Sequence, residues 1–383
     1  MKELNVALIG YKFMGKAHSN AWANVSHFFD LDVKPVTKVV CGQHEQPLAE
    51  FAARWGWQEI ETDWRKVVAR DDIDIVDIAA PPWVHRDMAV AAAAAGKHIF
   101  CEKPIALSLQ ESLEMLEAAE KAGVVHYVNF NYRRCPAVTL ARQMIDSGKI
   151  GRIFHWRGAY LQSWLVDPTF PLTWHLRREL AGSGANAGIN SHSVDLARYL
   201  VGEIKRVSAM TTTFVTERPL PSAEAGTFKA GSISTEMGPV TVEDAISMVV
   251  QFENGAQGSF EATTFAPGRK NYNYFEIYGD KGSLLFNLER MNELEFFSTE
   301  DPVNTQGFRT IQVTEPSHPY IANWWPPGHI IGYEHEFHHA VADFLTAIAK
   351  GGRIEPNFYD AVKGMQVLEA ALRSAETGQR VEL

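Results

Sequence analysis

The chain has 383 residues, 46% apolar and 21% charged, which is more than one hydrophobic core normally serves, so we expect two domains. A net charge of −10 and a pI near 5.8 argue against nucleic-acid and anionic-membrane partners, which need basic surface. Three scattered cysteines without metal or disulfide spacing, and a start without a secretory leader, indicate a reducing cytoplasm.

The first predicted unit is a strand, a glycine turn and a helix. Residues 4–9 form an apolar run typical of a buried parallel strand, and Gly10-Tyr11-Lys12-Phe13-Met14-Gly15 follows. Gly10 would make the tight turn, Gly15 would let the helix pack closely on the strand, and the helix N-terminus would face a pyrophosphate. Lys12 replaces the middle glycine of the dinucleotide fingerprint, so the motif is partial. A plain strand-to-helix turn is the alternative.

The second predicted strand, residues 35–40, ends where dinucleotide-binding domains contact the adenosine ribose. Its tip, Cys41-Gly42-Gln43-His44, has neither the acid typical of NAD binding nor an arginine for a 2′-phosphate. We expect NAD, because no cation is placed to meet a 2′-phosphate, and NADP stays possible.

Strands and helices go on alternating as far as residue 130. We predict strands over 73–79, 98–101 and 124–130, and helices over 48–55, 86–95 and 108–122. Asp63 is expected to cap a further short helix. Gly96 is expected to end the helix over residues 86–95. This alternation is typical of a doubly wound parallel sheet, and it predicts an α/β domain of the Rossmann type over residues 1–130.

The strand at residues 98–101 runs directly into Glu102-Lys103-Pro104. Lys103 is thereby expected at the carboxyl end of a strand, where open parallel sheets hold their ligands. A lysine crowded by a cofactor or by apolar walls can be pushed toward a neutral pKa and shuttle a proton. A solvated surface lysine is the alternative.

From residue 131 the pattern changes to strand after strand. Alternating runs predict strands over 151–160, 204–214, 244–252, 257–264, 272–278, 282–287 and 293–297. Glu253-Asn254-Gly255 and Gly279-Asp280-Lys281-Gly282 predict hairpin turns. Residues 131–383 are therefore predicted as an α+β domain with a large, open, mostly antiparallel sheet. One face would be covered by helices and the other by a second subunit, giving a homodimer or homotetramer.

Several segments in sequence order resemble the Gfo/Idh/MocA family, the glucose–fructose oxidoreductase and inositol dehydrogenase group. They are the glycine turn at 10–15, the loop Ala80-Pro81-Pro82-Trp83-Val84-His85, and residues 101–104, 129–134, 182–185 and 191–195. The terminal helices extend the resemblance over essentially the whole chain. Residues 157–164, 167–168 and 172–174 are most similar to levoglucosan dehydrogenases, with glycoside 3-dehydrogenases close by.

The resemblance implies a nicotinamide-dependent dehydrogenase that oxidises a ring secondary hydroxyl, with C3 expected, of a pyranose, an anhydrosugar such as levoglucosan, or a glycoside. Lys103 would lie against the nicotinamide ribose and the reacting hydroxyl. His192 would move the hydroxyl proton, which suits a histidine. The implied cofactor contacts are Gly10, Lys12, Phe13, Met14, Gly15, Gln43, Ala80, Pro81, His85, Glu102 and Lys103. The implied substrate contacts are Lys103, Tyr132, Gln162, Trp174, Asn190 and His192.

One position departs from the family pattern. Members often place an Asp four residues before the histidine, on the same helix face, and here that residue is Gly188. Asn190 or Asn186 would supply a hydrogen bond there, but an amide is not a base at pH 7. An inositol or polyol dehydrogenase of the same family and a non-catalytic NAD(P)-binding sensor therefore remain as alternatives.

A rival chemistry is suggested near the C-terminus. His335-Glu336-Phe337-His338-His339 matches the H-E-x-x-H signature of zinc proteases. On a helix, His335 and His339 would share a face, with Glu336 as the base. No third ligand follows, and the α/β plan before it is wrong for that fold. We therefore expect no metal, and a carbohydrate and a nicotinamide cofactor as partners.

Overall fold

The computed structural model describes residues 1–221 and 233–383, which form two units. The first unit comprises Met1–Arg134, Asn323–Trp325 and Ile331–Val362. The second comprises the described parts of Cys135–Ala322, together with Pro326–Ile330 and Lys363–Leu383. No helix in the described ranges combines the length and the apolar character needed to cross a membrane.

The first unit is built on a six-stranded parallel sheet. Its strands are β1 (Lys2–Ile9), β2 (Val33–Cys41), β3 (Glu59–Glu61), β4 (Ile75–Ile78), β5 (His98–Cys101) and β6 (His126–Val128). They lie in the order β3-β2-β1-β4-β5-β6, and all neighbours are parallel. The order reverses between β1 and β4, which is the point where such sheets bind ligands. The prediction of a doubly wound parallel sheet is confirmed.

The helices of this unit follow the predicted pattern closely. They are α1 (Phe13–Phe28), α2 (Glu45–Trp55), α3 (Trp64–Val68), α4 (His85–Ala94) and α5 (Leu109–Ala122). Asp63 caps α3 as expected, because its carboxylate accepts from the amide of Arg65 at 3.0 Å. The strand predicted over 124–130 is shorter, since Asn129 turns its side chain into a buried hydrogen bond and a 3₁₀ turn follows at Asn131–Arg134.

The second unit is built on a nine-stranded sheet. In chain order the strands are β7 (Ile153–Leu161), β8 (Ile204–Thr212), β9 (Glu217–Pro221), β10 (Ile233–Pro239), β11 (Ala245–Phe252), β12 (Gln257–Thr263), β13 (Tyr272–Gly279), β14 (Gly282–Asn287), β15 (Glu293–Ser298), β16 (Arg309–Gln312) and β17 (Val381–Glu382). Their order is β16-β15-β14-β13-β7-β12-β11-β8-β17, while β9 and β10 pair separately. The mostly antiparallel sheet is confirmed, although β7 and β12 pair in parallel.

Alternation along these strands gives the sheet one buried face. Trp156, Phe260, Phe275 and Phe286 point to this face and are nearly inaccessible to solvent. This unit contains α6 (Pro136–Asp146), α7 (Arg178–Ala181) and α8 (Ser191–Leu200), of which α6 and α7 were not predicted. The buried aromatic side chains explain the period-2 pattern from which the strands were predicted.

The last two helices are α9 (Tyr333–Ala349) and α10 (Phe358–Thr377). The sequence-based division at residue 130 placed α9 in the second domain. In the structure, α9 belongs to the first unit instead. Phe337, Val341 and Phe344 belong to the same buried core as Leu8 and Phe100 of the first unit. The amphipathic pattern of a helix shows that it covers an apolar surface, but not which surface it covers.

Candidate active site

The glycine turn after β1 brings the backbone unusually close to β4. Gly10 has φ +114°, and a Cβ there would lie 2.4 Å from the carbonyl oxygen of Ala79. A Cβ on Gly15 would lie 2.4 Å from the carbonyl oxygen of Gly10. The N-cap residue of α1, Lys12, makes no side-chain capping bond, so the first-turn amides of α1 suit an anion. This turn therefore fits the pyrophosphate of a dinucleotide.

The packing at the tip of β2 explains why no acidic residue follows this strand. A Cβ on Gly42 would lie 2.2 Å from the ring of Tyr11, which leaves no room for a side chain. Cys41 is buried, and burial raises its pKa to about 12, so this thiol stays neutral. Gln43 and His44 are the exposed polar groups of this tip. The ring of Tyr11, which we did not predict as a site residue, occupies the space that a side chain at position 42 would need.

A buried cluster of charges lies below the strand ends and was not predicted. Nδ1 of His18 lies 2.8 and 2.9 Å from the carboxylate oxygens of Asp77 on β4, and Nε2 lies 3.0 Å from Oε1 of Glu102. Trp22 donates to Asp77 at 2.6 Å, and Asn129 donates to Glu102 at 2.6 Å. His18 and Asp77 are 1% and 0% exposed, so water contributes nothing to their solvation. The cluster must therefore balance its own charges.

The two carboxylates determine the ionisation of His18. Burial by itself lowers the pKa of His18, but the charges of Asp77 and Glu102 and their hydrogen bonds outweigh it and raise the pKa to about 10. Burial acts to raise the pKa of Glu102, and the hydrogen bond and charge of His18 hold it below its usual value. An imidazolium between carboxylates is therefore the state at neutral pH.

This ionisation predicts a specific dependence of stability on pH. Because the pKa of His18 is about 10 in the folded protein and 6.5 for an unperturbed histidine, its stabilising effect is complete below pH 6.5 and is lost as the pH rises through 10. We expect wild type to have a larger free energy of unfolding than His18→Asn. This difference should decrease by on the order of a few kcal/mol between pH 6.5 and 10. Urea titrations at several pH values measure this, and a difference that stays constant with pH would contradict it.

Lys103 follows β5 directly, as predicted, and is half-buried. Burial lowers the pKa of its amine, and the charge of Glu102 opposes this. The backbone amide of Lys103 donates to Oε2 of Glu102 at 3.1 Å, which ties the lysine to the buried cluster. A lysine whose ammonium form is disfavoured is suited to proton transfer.

His85, predicted as a cofactor contact, is buried and touches two loops. Its Nε2 lies 2.7 Å from the carbonyl oxygen of Ala80, and its Nδ1 lies 3.1 Å from that of Pro104. Burial lowers the pKa of His85, and the hydrogen bonds to these two carbonyl oxygens oppose this. It connects the loop Ala80-Pro81 to the turn that carries Lys103, and we infer that it orders both.

The turn Asn131–Arg134 is anchored by α9. The side-chain amide of Asn131 donates to the buried carboxylate of Glu336 at 2.7 Å. The next residue in the sequence, Tyr132, is also buried. Nδ1 of His339 lies 2.8 Å from the carbonyl oxygen of Arg134, and Nε2 accepts from Trp324 at 2.8 Å. Glu336 and His339, from the H-E-x-x-H stretch, thus hold this turn in place. Among the described residues, no group of three or more possible metal ligands is found.

In the second unit, His192 lies at the start of α8, directly after a π-helical turn at Asn186–Asn190. It is 4% exposed, and its ring centroid lies 6.0 Å from that of Tyr160 on β7. Such π turns often occur at functional sites, because they shift the side chains that follow them. The sequence showed the histidine but gave no signal for the turn.

The asparagines of this turn have different surroundings. Asn186 donates to the carbonyl oxygen of Leu368 at 3.0 Å and accepts from Asn190 at 3.1 Å, so its amide is committed to packing. Oδ1 of Asn190 is buried without a hydrogen-bond partner among the described residues. A buried oxygen without a donor is suited to accept a hydrogen bond from a substrate hydroxyl. Asn190 is therefore a better candidate for a substrate contact than Asn186.

The end of β7 carries the other predicted substrate contacts. Gln162 and Tyr160 both donate to Oδ1 of Asn271, at 2.9 and 2.7 Å, and Trp164 donates to Gln162 at 2.9 Å. Trp174 stacks on the ring of His175 with centroids 3.6 Å apart. These polar and aromatic groups suit hydroxyls and sugar faces.

The loop between β7 and α7 is fixed by a buried arginine that the sequence did not reveal. Arg218 on β9 is 0% exposed, and its guanidinium donates to the carbonyl oxygens of Leu165, Asp167 and Phe170 at 2.6, 2.8 and 3.3 Å. A guanidinium is a rigid fork of donors, and here both terminal nitrogens bind carbonyl oxygens of this one loop. Trp164 and Trp174 flank this segment, so Arg218 orders the loop that carries them.

A Rossmann sheet with a glycine turn at its switch point and a lysine at a neighbouring strand end defines an NAD-binding oxidoreductase. The family model described as "Oxidoreductase family, NAD-binding Rossmann fold" matches residues 4–130, and the model "GFO/IDH/MocA C-terminal domain" matches residues 138–285. The chain belongs to the Gfo/Idh/MocA family of oxidoreductases, as its sequence motifs predicted.

Several relatives match over nearly the full length. The levoglucosan dehydrogenase of Pseudarthrobacter phenanthrenivorans is 46% identical over 380 residues, covering 98% of this chain and 97% of that one. An oxidoreductase domain protein from Kribbella flavida has a TM-score of 0.94 and 46% identity, covering 100% and 99% of the two chains. A levoglucosan dehydrogenase in complex with NADH and levoglucosan has a TM-score of 0.94 and 44% identity, with the same coverage.

Proposed function

We propose that this enzyme oxidises a ring secondary hydroxyl, at C3, of levoglucosan or a closely similar anhydrosugar or glycoside, with NAD as the hydride acceptor. The placement of Lys103 at the carboxyl end of β5 carries the proposal within the structure, because the lysine has a lowered pKa at a strand end that suits a nicotinamide. The similarity to levoglucosan dehydrogenases over nearly the whole chain supports the choice of sugar.

The residues have separate roles in this proposal. When bound, the nicotinamide accepts the hydride from the sugar carbon. His192 takes the hydroxyl proton as a neutral imidazole, and Lys103 hydrogen-bonds the same hydroxyl and the cofactor ribose. Asn190 and Gln162 hold neighbouring hydroxyls, and Trp174 offers an aromatic surface to the sugar. The amides of the glycine turn hold the pyrophosphate.

A substrate panel tests this proposal. Levoglucosan, glucose, methyl glucosides and myo-inositol are each offered with NAD and with NADP, and formation of reduced nicotinamide is followed. We expect the highest kcat/KM for levoglucosan with NAD, because neither Gln43 nor His44 offers a permanent cation to a 2′-phosphate. A preference for inositol would favour the polyol dehydrogenase. Cofactor binding without turnover on any sugar would favour the sensor.

Gly188 provides a prediction about specificity. A Cβ at this exposed position meets nothing within 4 Å, so the fold does not require a glycine there. We propose that the open space accommodates the bridged ring of the substrate. Gly188→Asp should fold normally and lower kcat/KM for levoglucosan by about tenfold or more, the size of a steric misfit at a reacting group.

The control for this prediction is Gly307→Asp, because Gly307 is exposed like Gly188 and a Cβ there also meets nothing within 4 Å. The control should keep its activity on levoglucosan. Unchanged or increased turnover of levoglucosan by Gly188→Asp would contradict the steric role. A gain on inositol would show that the family carboxylate was simply lost.

We also propose that a second copy of the chain covers the outer face of the nine-stranded sheet. This face carries Tyr272, Tyr274 and Tyr278, and it leaves Met210 and Val249 65% and 58% exposed. Apolar and aromatic side chains at this density are typical of interfaces. Light scattering of the purified protein should give a dimer or tetramer, and a monomer at micromolar concentration would contradict this.

A further inference from the structure

The hydrogen bonding of His18 fixes its protonation by geometry. Each ring nitrogen faces a carboxylate, that of Asp77 on one side and that of Glu102 on the other, at 2.8 to 3.0 Å. An ionised carboxylate only accepts hydrogen bonds, so both nitrogens must carry a hydrogen. Trp22 and Asn129 also donate to the same two carboxylates, so the oxygens of both act as acceptors. His18 is therefore an imidazolium with no contact to solvent.

The position of this charge relates it to the catalytic machinery. His18 belongs to α1, whose first turn would hold the pyrophosphate, and Glu102 immediately precedes Lys103. The second oxygen of Glu102 accepts from the backbone amide of Lys103 at 3.1 Å. His18 thus joins the cofactor-binding helix to the turn that presents the lysine. None of these contacts involves the second unit.

We propose that His18 is a positioning residue, charged at neutral pH, which fixes Glu102 and, through its charge, sets the charge state of Lys103. It does not touch substrate, and its catalytic consequence rests on the proposed function of Lys103. Its effect on the ionisation of Lys103 does not depend on that function.

The expected effect on Lys103 follows from the balance of charges around it. Asp77 and Glu102 carry two negative charges below Lys103, and His18 cancels one of them. Removing the charge of His18 makes the surroundings of Lys103 more negative and stabilises its ammonium form. The charge of Glu102 acts on Lys103, and His18 pairs with Glu102 at 3.0 Å, so loss of the imidazolium leaves the charge of Glu102 uncompensated beside the lysine.

Other titratable groups near the cluster come from further elements and remain in place in the variants below. They are Cys101 on β5 and His85 on α4, which both interact with Glu102, and Tyr333 and Glu336 on α9. Phe337 of α9 and Phe100 of β5 contact the His18 ring with centroids 5.5 and 5.4 Å away, so the remaining walls are apolar. Asp77, Glu102 and Lys103 are thus the groups through which a change at His18 should act.

Competitive labelling of lysines tests the proposal without turnover. The whole folded protein is acetylated with trace acetic anhydride between pH 6 and 11, and the Lys103 peptide is quantified by mass spectrometry. In His18→Asn, the labelling midpoint of Lys103 should move to higher pH, so that its labelling at pH 8 falls about tenfold. In the double variant His18→Asn/Asp77→Asn, which restores the net charge, the midpoint should return toward wild type.

Trp22→Phe is the matched control. It removes a hydrogen bond to Asp77 but no charge, so the labelling midpoint of Lys103 should stay at the wild-type value. A His18→Asn curve that superimposes on wild type would overturn the proposal. Equal shifts in His18→Asn and Trp22→Phe would also overturn it, because they would show a packing role only.

Two measurements keep the test decisive if His18→Asn does not fold. Asp77→Asn removes a negative charge and should increase labelling of Lys103 at pH 8, and no increase would overturn the proposal. ¹⁵N NMR of the wild-type His18 ring should show both nitrogens protonated at pH 8, and a neutral ring would overturn it. A shift in Lys103 labelling in an enzyme without sugar turnover would refute the proposed function and leave this inference intact.

Discussion

Replacing Lys103 by Met should abolish hydride transfer and leave cofactor binding intact. The substitution keeps the aliphatic stem but removes the amine that, in our account, hydrogen-bonds the reacting hydroxyl. We expect kcat with levoglucosan to fall by roughly 10²–10⁴-fold, the range for a lost proton-transfer group. The dissociation constant of NADH, measured by fluorescence, should stay close to that of wild type.

Lys97 offers a matched control, because it precedes β5 just as Lys103 follows it. Its amine donates to the carbonyl oxygen of Arg70 at 2.7 Å, at the opposite end of the strand from the ligand edge. Lys97→Met should lose some stability and keep its turnover. Near-normal turnover by Lys103→Met would refute the role given to this lysine.

His192→Asn should lower turnover by on the order of a hundredfold or more, the size expected for a lost general base. In the wild type, oxidation should rise with pH as neutral imidazole forms, and the variant should lose this rise. Because Lys103 also titrates, the apparent ionisation belongs to the pair and not to one residue. Turnover and its pH profile in stopped-flow experiments measure both effects.

The exposed histidine of β7, His155, is the control for this variant. His155→Asn should change neither the rate nor its pH dependence. If His192→Asn also left both unchanged, the base would have to be another group, and Lys103 or Tyr132 would be the next candidates.

Local patterns were sufficient to predict the elements that carry the candidate site. The strand His98–Cys101 was predicted with its observed bounds, and the hairpin between β13 and β14 was predicted to within one residue. Both have short-range causes, an apolar run closed by Glu102-Lys103-Pro104 in one case and glycine turn chemistry in the other. The glycine turn after β1 was also recognisable, because backbone approach at Gly10 depends on that residue alone.

The buried cluster around His18 could not be predicted in the same way. Its members lie at residues 18, 77, 102 and 129, and only the sheet order brings them together. One signal was present in the sequence, since Asp77 interrupts the apolar strand Ile75–Ile78. A charge inside a buried parallel strand must have a partner, although its identity depends on the fold.

The most direct test of the proposed reaction follows the hydrogen itself. Levoglucosan carrying deuterium at C3 is incubated with the enzyme and NAD, and the reduced cofactor is analysed by mass spectrometry and NMR. The account predicts that deuterium appears at C4 of the nicotinamide and that the rate of the chemical step falls by the size of a primary isotope effect. Reduced cofactor without deuterium would show that the hydride leaves another carbon, and no reduction at all would contradict the proposed activity.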